Sequence, residues 1–430
     1  MSMLSASAGF ISKYRTIIQV TLGAVLLAVT LVRLGTVFHR EIFTDYLAYA
    51  DTTQSIMAGS NPYALENMRY RAWGEAPIVY PGYVFFFQSI AGNAQKFLPW
   101  YLLLSIIASF AALAWLLKKT GFKGEPSPLR NSRGFFICSV LIFAFFNASP
   151  VLKTLRLGQS TAIIAFCLVA MLLGRRQIAR YFFFGTAAVM KYSLLTVWAP
   201  LLFFKKYYRL CLFGLLFFIL AGLYPVFFYP NIVGLIKAYL QELASQISGT
   251  GFNTYSVSGF DMLHLDFIKS SLVATSLKVT FVAAWIGLFL KERKQRRISI
   301  NLLFSASCLT MLISYHRLHD VITILPFLGL LCYVFFRENK YGLLTISSFF
   351  YLYFLIPESI IFRISSFIGT KLLFLQQWIY LCSYSENAEQ WNNLVPINAV
   401  VMLLLTGFSY YLNACQDSPY YFKLDSSEPD

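Results

Sequence analysis

Charged residues are scarce in this sequence. Asp, Glu, Lys and Arg make up 13% of its 430 residues, whereas soluble domains carry about 25%. No polar segment is long enough to form a separate soluble domain. The low charge content therefore excludes an ordinary soluble protein. It indicates an integral membrane protein organised as one domain over residues 1–430.

Acidic residues are the scarcer of the two charge signs. Lys and Arg number 35 against 19 Asp and Glu, which gives a net charge of +16. In a soluble protein such an excess would indicate nucleic-acid binding. Here the basic residues cluster in short loops between apolar runs, as the positive-inside rule expects of cytoplasmic loops. We therefore predict no nucleic-acid partner and expect membrane lipids as the surroundings.

The sequence also lacks the motifs of metal and redox sites. Most of its 7 cysteines lie inside apolar runs at no metal-ligand spacing, which is typical of small core residues. No His-Glu-x-x-His motif is present. His316, His319 and Asp320 would share one helix face, but hydrogen-bonded histidines at an interface are a better interpretation than a metal site. We predict no metal and no cofactor.

Long apolar runs fill most of the chain. A membrane helix needs about 20 predominantly apolar residues, and the first run, Thr16–Phe38, is too long for a signal-peptide core, so we expect it to remain as an anchor. The run 366–382 fits either a span or an interfacial helix. The predicted fold is all-α, a polytopic transmembrane helical bundle of about 10–13 membrane helices. The other candidate spans are 79–97, 99–117, 134–149, 158–174, 181–204, 208–228, 271–290, 299–315, 319–336, 341–363 and 394–414.

Two of these candidate spans conflict with the positive-inside rule. If 79–97 and 181–204 both crossed the membrane fully, basic loops would lie on the outer side. The first begins Tyr-Pro-Gly, and Lys191 interrupts the second, where a mid-bilayer Lys costs about 2.5–3.5 kcal/mol. We therefore predict that both segments are short or re-entrant and that the N-terminus is cytoplasmic. The polar segments that would then meet on the outer side are 39–78, 150–158, 229–270 and 314–320.

The first outer loop, 39–78, is neither apolar nor short. A helix is predicted from Asp45 onward, with Thr44 as its N-cap and Gly59 closing its end. Asp45 and Asp51 are six residues apart, about 240° around such a helix, so they cannot share one site. Asp45 is either a functional group or a residue favoured only by the helix dipole. Asp51 is expected to be ordinary helix polarity.

Polar residues in or beside membrane helices are candidates for function by default. Gln159 begins a predicted span, where its amide can bind a ligand oxygen or cap its own helix. Tyr80 precedes a proline and fits a helix start as well as a binding site. Besides Asp45, the candidates for substrate binding are Tyr80, Arg156, Gln159, Lys191, His316 and His319.

In chain order these stretches resemble the polyprenyl-phosphate-mannose-dependent alpha-mannosyltransferases of the glycosyltransferase C superfamily. The resemblance extends over residues 16–331. Gly82 and Tyr192 stand where the family has proline, and the family more often has Asn shortly after the Gln. The elements that carry the resemblance are Asp45 with Tyr49, Gly59-Ser60-Asn61-Pro62-Tyr63, Tyr80-Pro81-Gly82, Leu157-Gly158-Gln159-Ser160, Lys191-Tyr192 and the stretch from His316 to Pro326.

The resemblance implies a membrane glycosyltransferase of the glycosyltransferase C type. It would transfer a hexose, mannose in the first place, from a polyprenyl-phosphate sugar to a hydroxyl of a glycan or glycolipid acceptor. The reaction would take place on the non-cytoplasmic face. The resemblance also makes Asp45 the catalytic general base. The short chain without a retrieval signal favours a bacterial plasma (inner) membrane with the active site facing outward.

The residue inventory agrees with this chemistry. One carboxylate is enough to deprotonate an acceptor hydroxyl, whereas a glycosidase needs two because its leaving group must be protonated. A phosphate leaving group instead needs positive charge or hydrogen-bond donors, which Lys191, Arg156 or the histidines can supply. Such a single displacement inverts the anomeric centre and requires no metal. His316 or His319 is expected to assist Asp45 by fixing the acceptor or sharing its proton.

Three other interpretations fit part of the sequence. An arabinosyl- or glucosyltransferase of the same superfamily would show the same motifs. A transporter or flippase of lipid-linked sugars would explain the buried Lys191, but it predicts internal pseudo-symmetry, and the sequence shows no repeat. A membrane scaffold without chemistry would leave the polar loop 39–78 unexplained.

Overall fold

The computed structural model describes residues 2–38, 43–64, 79–120, 132–249, 263–292, 298–314, 316–386, 389–415 and 421–422. Within these ranges helices dominate. The α-helices are α1 (Ser2–Phe38), α2 (Thr44–Met57), α3 (Val84–Phe87), α4 (Ala94–Thr120), α5 (Ser132–Asn147), α6 (Ser149–Leu157), α7 (Thr161–Leu173), α8 (Gln177–Lys191), α9 (Trp198–Phe204), α10 (Tyr208–Leu223), α11 (Ile232–Gly249), α12 (Ser271–Glu292), α13 (Ile300–Ile313), α14 (Leu325–Arg337), α15 (Tyr341–Leu355), α16 (Glu358–Lys371) and α17 (Ile397–Cys415).

Short 3₁₀ helices and strands connect these helices. The 3₁₀ helices are Pro81–Tyr83, Ala91–Asn93, Tyr192–Leu195, Tyr224–Phe227, Leu265–Phe267, Leu318–Thr323 and Leu373–Gln377. The strands are β1 (Ile298–Ser299), β2 (Cys382–Glu386), β3 (Glu389–Leu394) and β4 (Tyr421–Phe422). β1 pairs antiparallel with β4, and β2 pairs antiparallel with β3. These two-stranded pairs are small additions to a helical architecture, so the predicted all-α class is confirmed.

The lengths and compositions of the helices fit a polytopic bundle. Among the described residues, five helices are long and apolar enough to cross a membrane, or up to eight if each of three bent pairs is one span. The long helices are Tyr14–Val37, Ala91–Leu117, Tyr208–Phe227, Ser271–Glu292 and Ile397–Ala414. Many of their apolar side chains are exposed, such as Leu31 on α1 and Leu216 on α10, as expected of surfaces that face lipid.

Three shorter apolar helices form the interior of the bundle. α7, α13 and α14 have 13 or 14 residues each, and nearly all of their side chains are buried. A helix that is apolar on all sides must be surrounded by other helices. α7 packs between α4 and α8, and α13 packs against α17. Gln159 lies just before α7, and His316 and Asp320 lie between α13 and α14.

The segments 79–97 and 181–204, which were predicted to be short or re-entrant, are each divided into several short helices. Residues 81–87 form a 3₁₀ turn and the single turn of α3, and a second 3₁₀ turn leads into α4. The segment from Gln177 to Phe204 bends by 109° between Leu195 and Trp198. α8 itself ends at Lys191, as expected for a charged residue that interrupts an apolar run. The region 366–382 is divided among the end of α16, a 3₁₀ helix and β2.

The helix predicted from Asp45 onward is present as α2, but its predicted N-cap is wrong. α2 begins at Thr44 itself, and Phe43 precedes it without a side-chain cap. Thr44 instead donates from its hydroxyl to the neighbouring Asp45 carboxylate. Gly59 follows the helix with a left-handed φ of +72°, which matches the prediction. The neighbouring stretches 39–42 and 65–78 of the predicted outer loop lie outside the described residues, as do 250–262.

Candidate active site

Asp45 lies in the first turn of α2 and is buried, with 7% of its surface exposed. The side-chain amide of Gln159 donates from Nε2 to Asp45 Oδ2, and Thr44 Oγ1 lies 3.4 Å from Oδ1. Burial raises the pKa of Asp45 from 3.8 to about 7, against the opposing positive charges of Arg317 and Lys191. A carboxyl group with a pKa near 7 can take up and release a proton at neutral pH.

The turn between α6 and α7 brings Gln159 to this carboxylate. Gly158 ends α6 in the left-handed conformation with φ +67°, a position that favours glycine. A Cβ on Gly158 would lie 2.6 Å from Cβ of Tyr46 on α2. The absence of a side chain therefore allows the turn to pack directly on α2. Gln159 Oε1 accepts a hydrogen bond of 2.9 Å from Tyr49 Oη, which fixes the orientation of the amide.

The two residues after Gln159 extend the hydrogen-bonded network to other elements. Ser160 Oγ lies 2.8 Å from Tyr83 Oη, and Tyr83 in turn donates to the carbonyl of Met190 at 2.6 Å. Thr161 Oγ1 donates to Asp320 Oδ1 at 3.3 Å. Consecutive residues of one turn thus link α2, the 81–83 segment and the 318–323 segment.

Asp320 forms the centre of the second half of the network and is almost fully buried. Its Oδ1 lies 2.5 Å from Lys191 Nζ at the end of α8 and 3.5 Å from His319 Nε2. Its Oδ2 lies 2.9 Å from His316 Nδ1 and accepts the backbone N–H of Arg317 at 3.3 Å. Burial alone would raise the pKa of Asp320, but the Lys191 charge and the hydrogen bond with His316 hold it well below its usual range.

The two histidines are buried beside Asp320. Burial lowers the pKa of His316 and lowers that of His319 further, although the Asp320 charge opposes the effect. Burial therefore favours the neutral form of both imidazoles. Lys191 differs from them because its side chain keeps 23% of its surface exposed. A ligand can therefore approach the ammonium group of Lys191.

The remaining candidates from the sequence have other surroundings. Tyr80 stacks on Phe218 with a centroid distance of 4.4 Å and donates to the Phe218 carbonyl at 3.0 Å. Its ring also contacts Tyr192 and Tyr239, so it belongs to an aromatic cluster beside Lys191. Arg156 lies in the last turn of α6 with a half-buried side chain. In the described part of the chain, no group of three His, Cys, Asp or Glu residues is arranged to hold a metal ion.

The predicted site residues included neither Asp320 nor Tyr83. Asp320 was one of the ionisable residues considered beside the membrane helices, but it was weighed only as part of a metal motif with His316 and His319. Tyr83 contacts the network, whereas the prediction named Tyr80, three residues earlier. Both tyrosines belong to the same segment, and nothing in the sequence distinguishes their directions.

Fold and site together define a multi-pass membrane protein in which buried carboxylates, a lysine and two histidines converge from distant segments. The model of glycosyltransferase family 87 matches residues 81–314. The match covers more than half of the chain, which therefore belongs to this family and is a membrane glycosyltransferase. No curated protein matches the chain. The matched region contains Tyr83, Gln159 and Lys191, while Asp45 and Asp320 lie outside it.

Proposed function

We propose that the protein transfers a hexose, mannose in the first place, from a polyprenyl-phosphate sugar to a hydroxyl of a glycan or glycolipid. Membership of a glycosyltransferase family supports transfer of a sugar, and the membrane helices suit a donor with an isoprenoid tail. The observation that carries the proposal is the buried Asp45 carboxyl, which Gln159 orients and whose pKa is about 7.

In this mechanism Asp45 is the general base. The acceptor hydroxyl oxygen attacks the anomeric carbon and forms the new glycosidic bond while its proton passes to the Asp45 carboxylate. The bond between the anomeric carbon and the phosphate oxygen breaks, and the phosphate keeps the electron pair. Because attack and departure occur on opposite faces, the anomeric configuration inverts. A base with a pKa near the working pH combines a large ionised fraction with proton affinity.

Asp320 is a poorer candidate for the base. Lys191 and His316 occupy its oxygens together with hydrogen bonds from Thr161 and the backbone of Arg317. A carboxylate with a pKa held far below 7 has little affinity for a proton. The different surroundings of the two acids therefore assign the proton transfer to Asp45.

Lys191 is the proposed ligand of the donor phosphate. Its ammonium group has three N–H donors, and one of them is directed to Asp320 at 2.5 Å. The other two N–H donors, on a side chain that is partly exposed, can bind phosphate oxygens and stabilise the charge that develops on the leaving group. Arg317 adds positive charge, since its field reaches Asp45. Arg156 and the histidines remain further candidates for contacts with the substrates.

An aromatic cluster next to Lys191 suits the rest of the donor. Tyr192 follows Lys191 directly and is 39% exposed. Its ring packs edge-on against Tyr80 and Phe218, and its hydroxyl lies 3.2 Å from that of Tyr239. Flat rings with hydroxyl groups can pack against a sugar or the first isoprene units and still offer hydrogen bonds. We propose this cluster, Tyr80, Tyr192, Phe218 and Tyr239, as the platform beside the reacting centre.

The proposed setting is a bacterial plasma (inner) membrane with the site facing outward. The positive-inside rule supports this orientation. Lys191 ends α8, whereas the basic residues Arg175, Arg176 and Arg209 lie at the N-terminal ends of α8 and α10.

The experiment that tests the proposal offers membranes containing the protein a panel of polyprenyl-phosphate sugars. Mannose, glucose and arabinose donors are compared, and transfer to endogenous glycan is measured with radiolabelled sugar. We expect transfer from the mannose donor. A preference for arabinose or glucose would correct the sugar, while transfer only from nucleotide sugars would refute the lipid-linked donor. In the product, the newly formed glycosidic linkage should have the anomeric configuration opposite to that of the donor sugar.

A further inference from the structure

Two ring nitrogens in the network are buried without a hydrogen-bond partner among the described residues. They are Nε2 of His316 and Nδ1 of His319. His316 is completely buried and His319 is 3% exposed. A buried polar atom without a partner costs free energy, and such exceptions in native proteins call for an explanation. A bound ligand that supplies the missing hydrogen-bond partner would satisfy such an atom.

The partner of the other ring nitrogen determines what Nε2 of His316 can do. His316 Nδ1 lies 2.9 Å from Asp320 Oδ2. Lys191 and the backbone N–H of Arg317 also contact Asp320, which keeps that acid ionised. An ionised carboxylate can only accept hydrogen bonds, so the proton of a neutral His316 must be on Nδ1. Nε2 is then left with a lone pair and can only accept.

We propose that Asp320 is a positioning residue that fixes His316 in the Nδ1–H tautomer, so that its buried Nε2 accepts a hydrogen bond from a sugar hydroxyl. The proposal rests on the proposed function, since it assigns Nε2 to one of the two sugar-bearing substrates. An ionised phosphate carries no proton to donate, so the lone pair of Nε2 selects a hydroxyl instead. In this arrangement the phosphate binds Lys191, which contacts the other carboxylate oxygen of Asp320.

His316 is the stronger of the two histidines for this role. Its contact with Asp320 is 2.9 Å, against 3.5 Å for His319. Its backbone carbonyl also accepts the N–H of Leu263 at 3.1 Å, which fixes the residue on both sides. A rigid acceptor at a defined position distinguishes one hydroxyl of a sugar from its neighbours. The geometry thus makes His316 a residue that determines sugar specificity.

The tautomer can be read without any activity assay. The full-length protein, labelled with nitrogen-15 at its 4 histidines, is reconstituted in lipid bilayers and examined by solid-state NMR, with His316→Gln used to assign the signals. We expect His316 to be neutral and protonated at Nδ1. In Asp320→Asn the amide can donate to Nδ1, and we expect the proton to move to Nε2. Lys191→Met, which removes the ion pair but keeps the carboxylate, should leave Nδ1–H in place.

Two spectroscopic results would overturn the positioning role. One is a wild-type His316 that is protonated at Nε2. The other is an Asp320→Asn variant that folds and keeps the wild-type tautomer. The wild-type spectrum decides the question even if the variant does not fold.

Kinetics identify the substrate that supplies the hydroxyl. His316→Leu removes the acceptor, whereas His316→Gln offers an amide N–H to Asp320 and a carbonyl oxygen in place of Nε2. We expect His316→Leu to raise KM about tenfold for one substrate, the size of one lost hydrogen bond, and His316→Gln to recover most of it. A rise in the KM for the acceptor would assign the hydroxyl to the acceptor, and a rise in the KM for the donor would assign it to the donor. Unchanged values for both would overturn the proposal. If wild type used no lipid-linked donor, the proposed function would fail, while the spectrum would still report the tautomer.

Discussion

The burial of Asp45 predicts that this residue reduces the stability of the folded protein at neutral pH. The substitution Asp45→Asn keeps the shape of the side chain and removes the charge. Gln159 can still donate to the remaining carbonyl oxygen, and the new amide group can donate to the hydroxyl of Thr44. The variant should therefore fold, lose transferase activity and gain stability.

The size of the gain follows from the pKa of Asp45, which burial raises from 3.8 to about 7. As pH rises between these values, Asp45 loses its proton in the unfolded chain but keeps it in the folded protein. The free energy of unfolding therefore falls as pH rises through this range. Each pKa unit corresponds to about 1.4 kcal/mol, so the full effect above pH 7 is at most about 4 kcal/mol. Near pH 4.5 only about 1 kcal/mol of this effect remains.

The assay is unfolding of the purified protein in detergent, followed by tryptophan fluorescence near pH 8 and near pH 4.5. We expect Asp45→Asn to unfold at a higher temperature than wild type near pH 8 and at about the same temperature near pH 4.5. Asp51→Asn, the same change at a less buried position of α2, serves as the control. A variant that is less stable than wild type near pH 8, or equally stabilised at both pH values, would refute the reasoning.

Three further predictions concern activity and the turn after α6. Because the pKa of Asp45 is about 7, the transfer rate at pH 6 should be about tenfold lower than the plateau rate reached at high pH. A flat rate profile between pH 5 and 9 would argue against this base. Lys191→Gln should raise the donor KM at least about tenfold by removing a charged contact to phosphate, and Lys191→Arg should raise it less, as initial rates with varied donor will show. Gly158→Ala should lower the stability of the protein by about 1–3 kcal/mol, because φ is +67° and a Cβ would lie 2.6 Å from Cβ of Tyr46. Gly92→Ala, where a Cβ meets nothing within 4 Å, is the matched control in thermal unfolding.

Most of the helical architecture could be predicted from the sequence because apolar runs and single charges leave clear signals. The run containing Lys191 was expected to break, and α8 ends at that residue. The N-cap of α2 was predicted wrongly, since a threonine beside an aspartate can bond to its neighbour as well as to the helix. Hydropathy alone could not show that α7, α13 and α14 are interior helices, because a buried helix and a lipid-facing helix have similar composition.

The candidate site could be predicted only in part. Ionisable and amide groups beside apolar runs pointed to Asp45, Gln159, Lys191 and His316. In the structure Asp45 contacts Gln159, and Asp320 links Lys191 to His316. Their pairing could not be predicted, because Asp320 and Lys191 are 129 residues apart in the chain and meet only through packing of the interior helices. The same holds for Tyr83, whose hydroxyl reaches Ser160 across the fold.

The most direct test of the account is the turnover of purified protein with a polyprenyl-phosphate mannose donor, compared between wild type and Asp45→Asn near pH 8. If Asp45 is the general base, kcat should fall by at least about 100-fold while the donor KM changes little, because the variant keeps its contacts with Gln159 and Thr44. Asp51→Asn should retain most of the wild-type kcat. An Asp45→Asn variant that turns over within a few-fold of wild type would contradict the central claim.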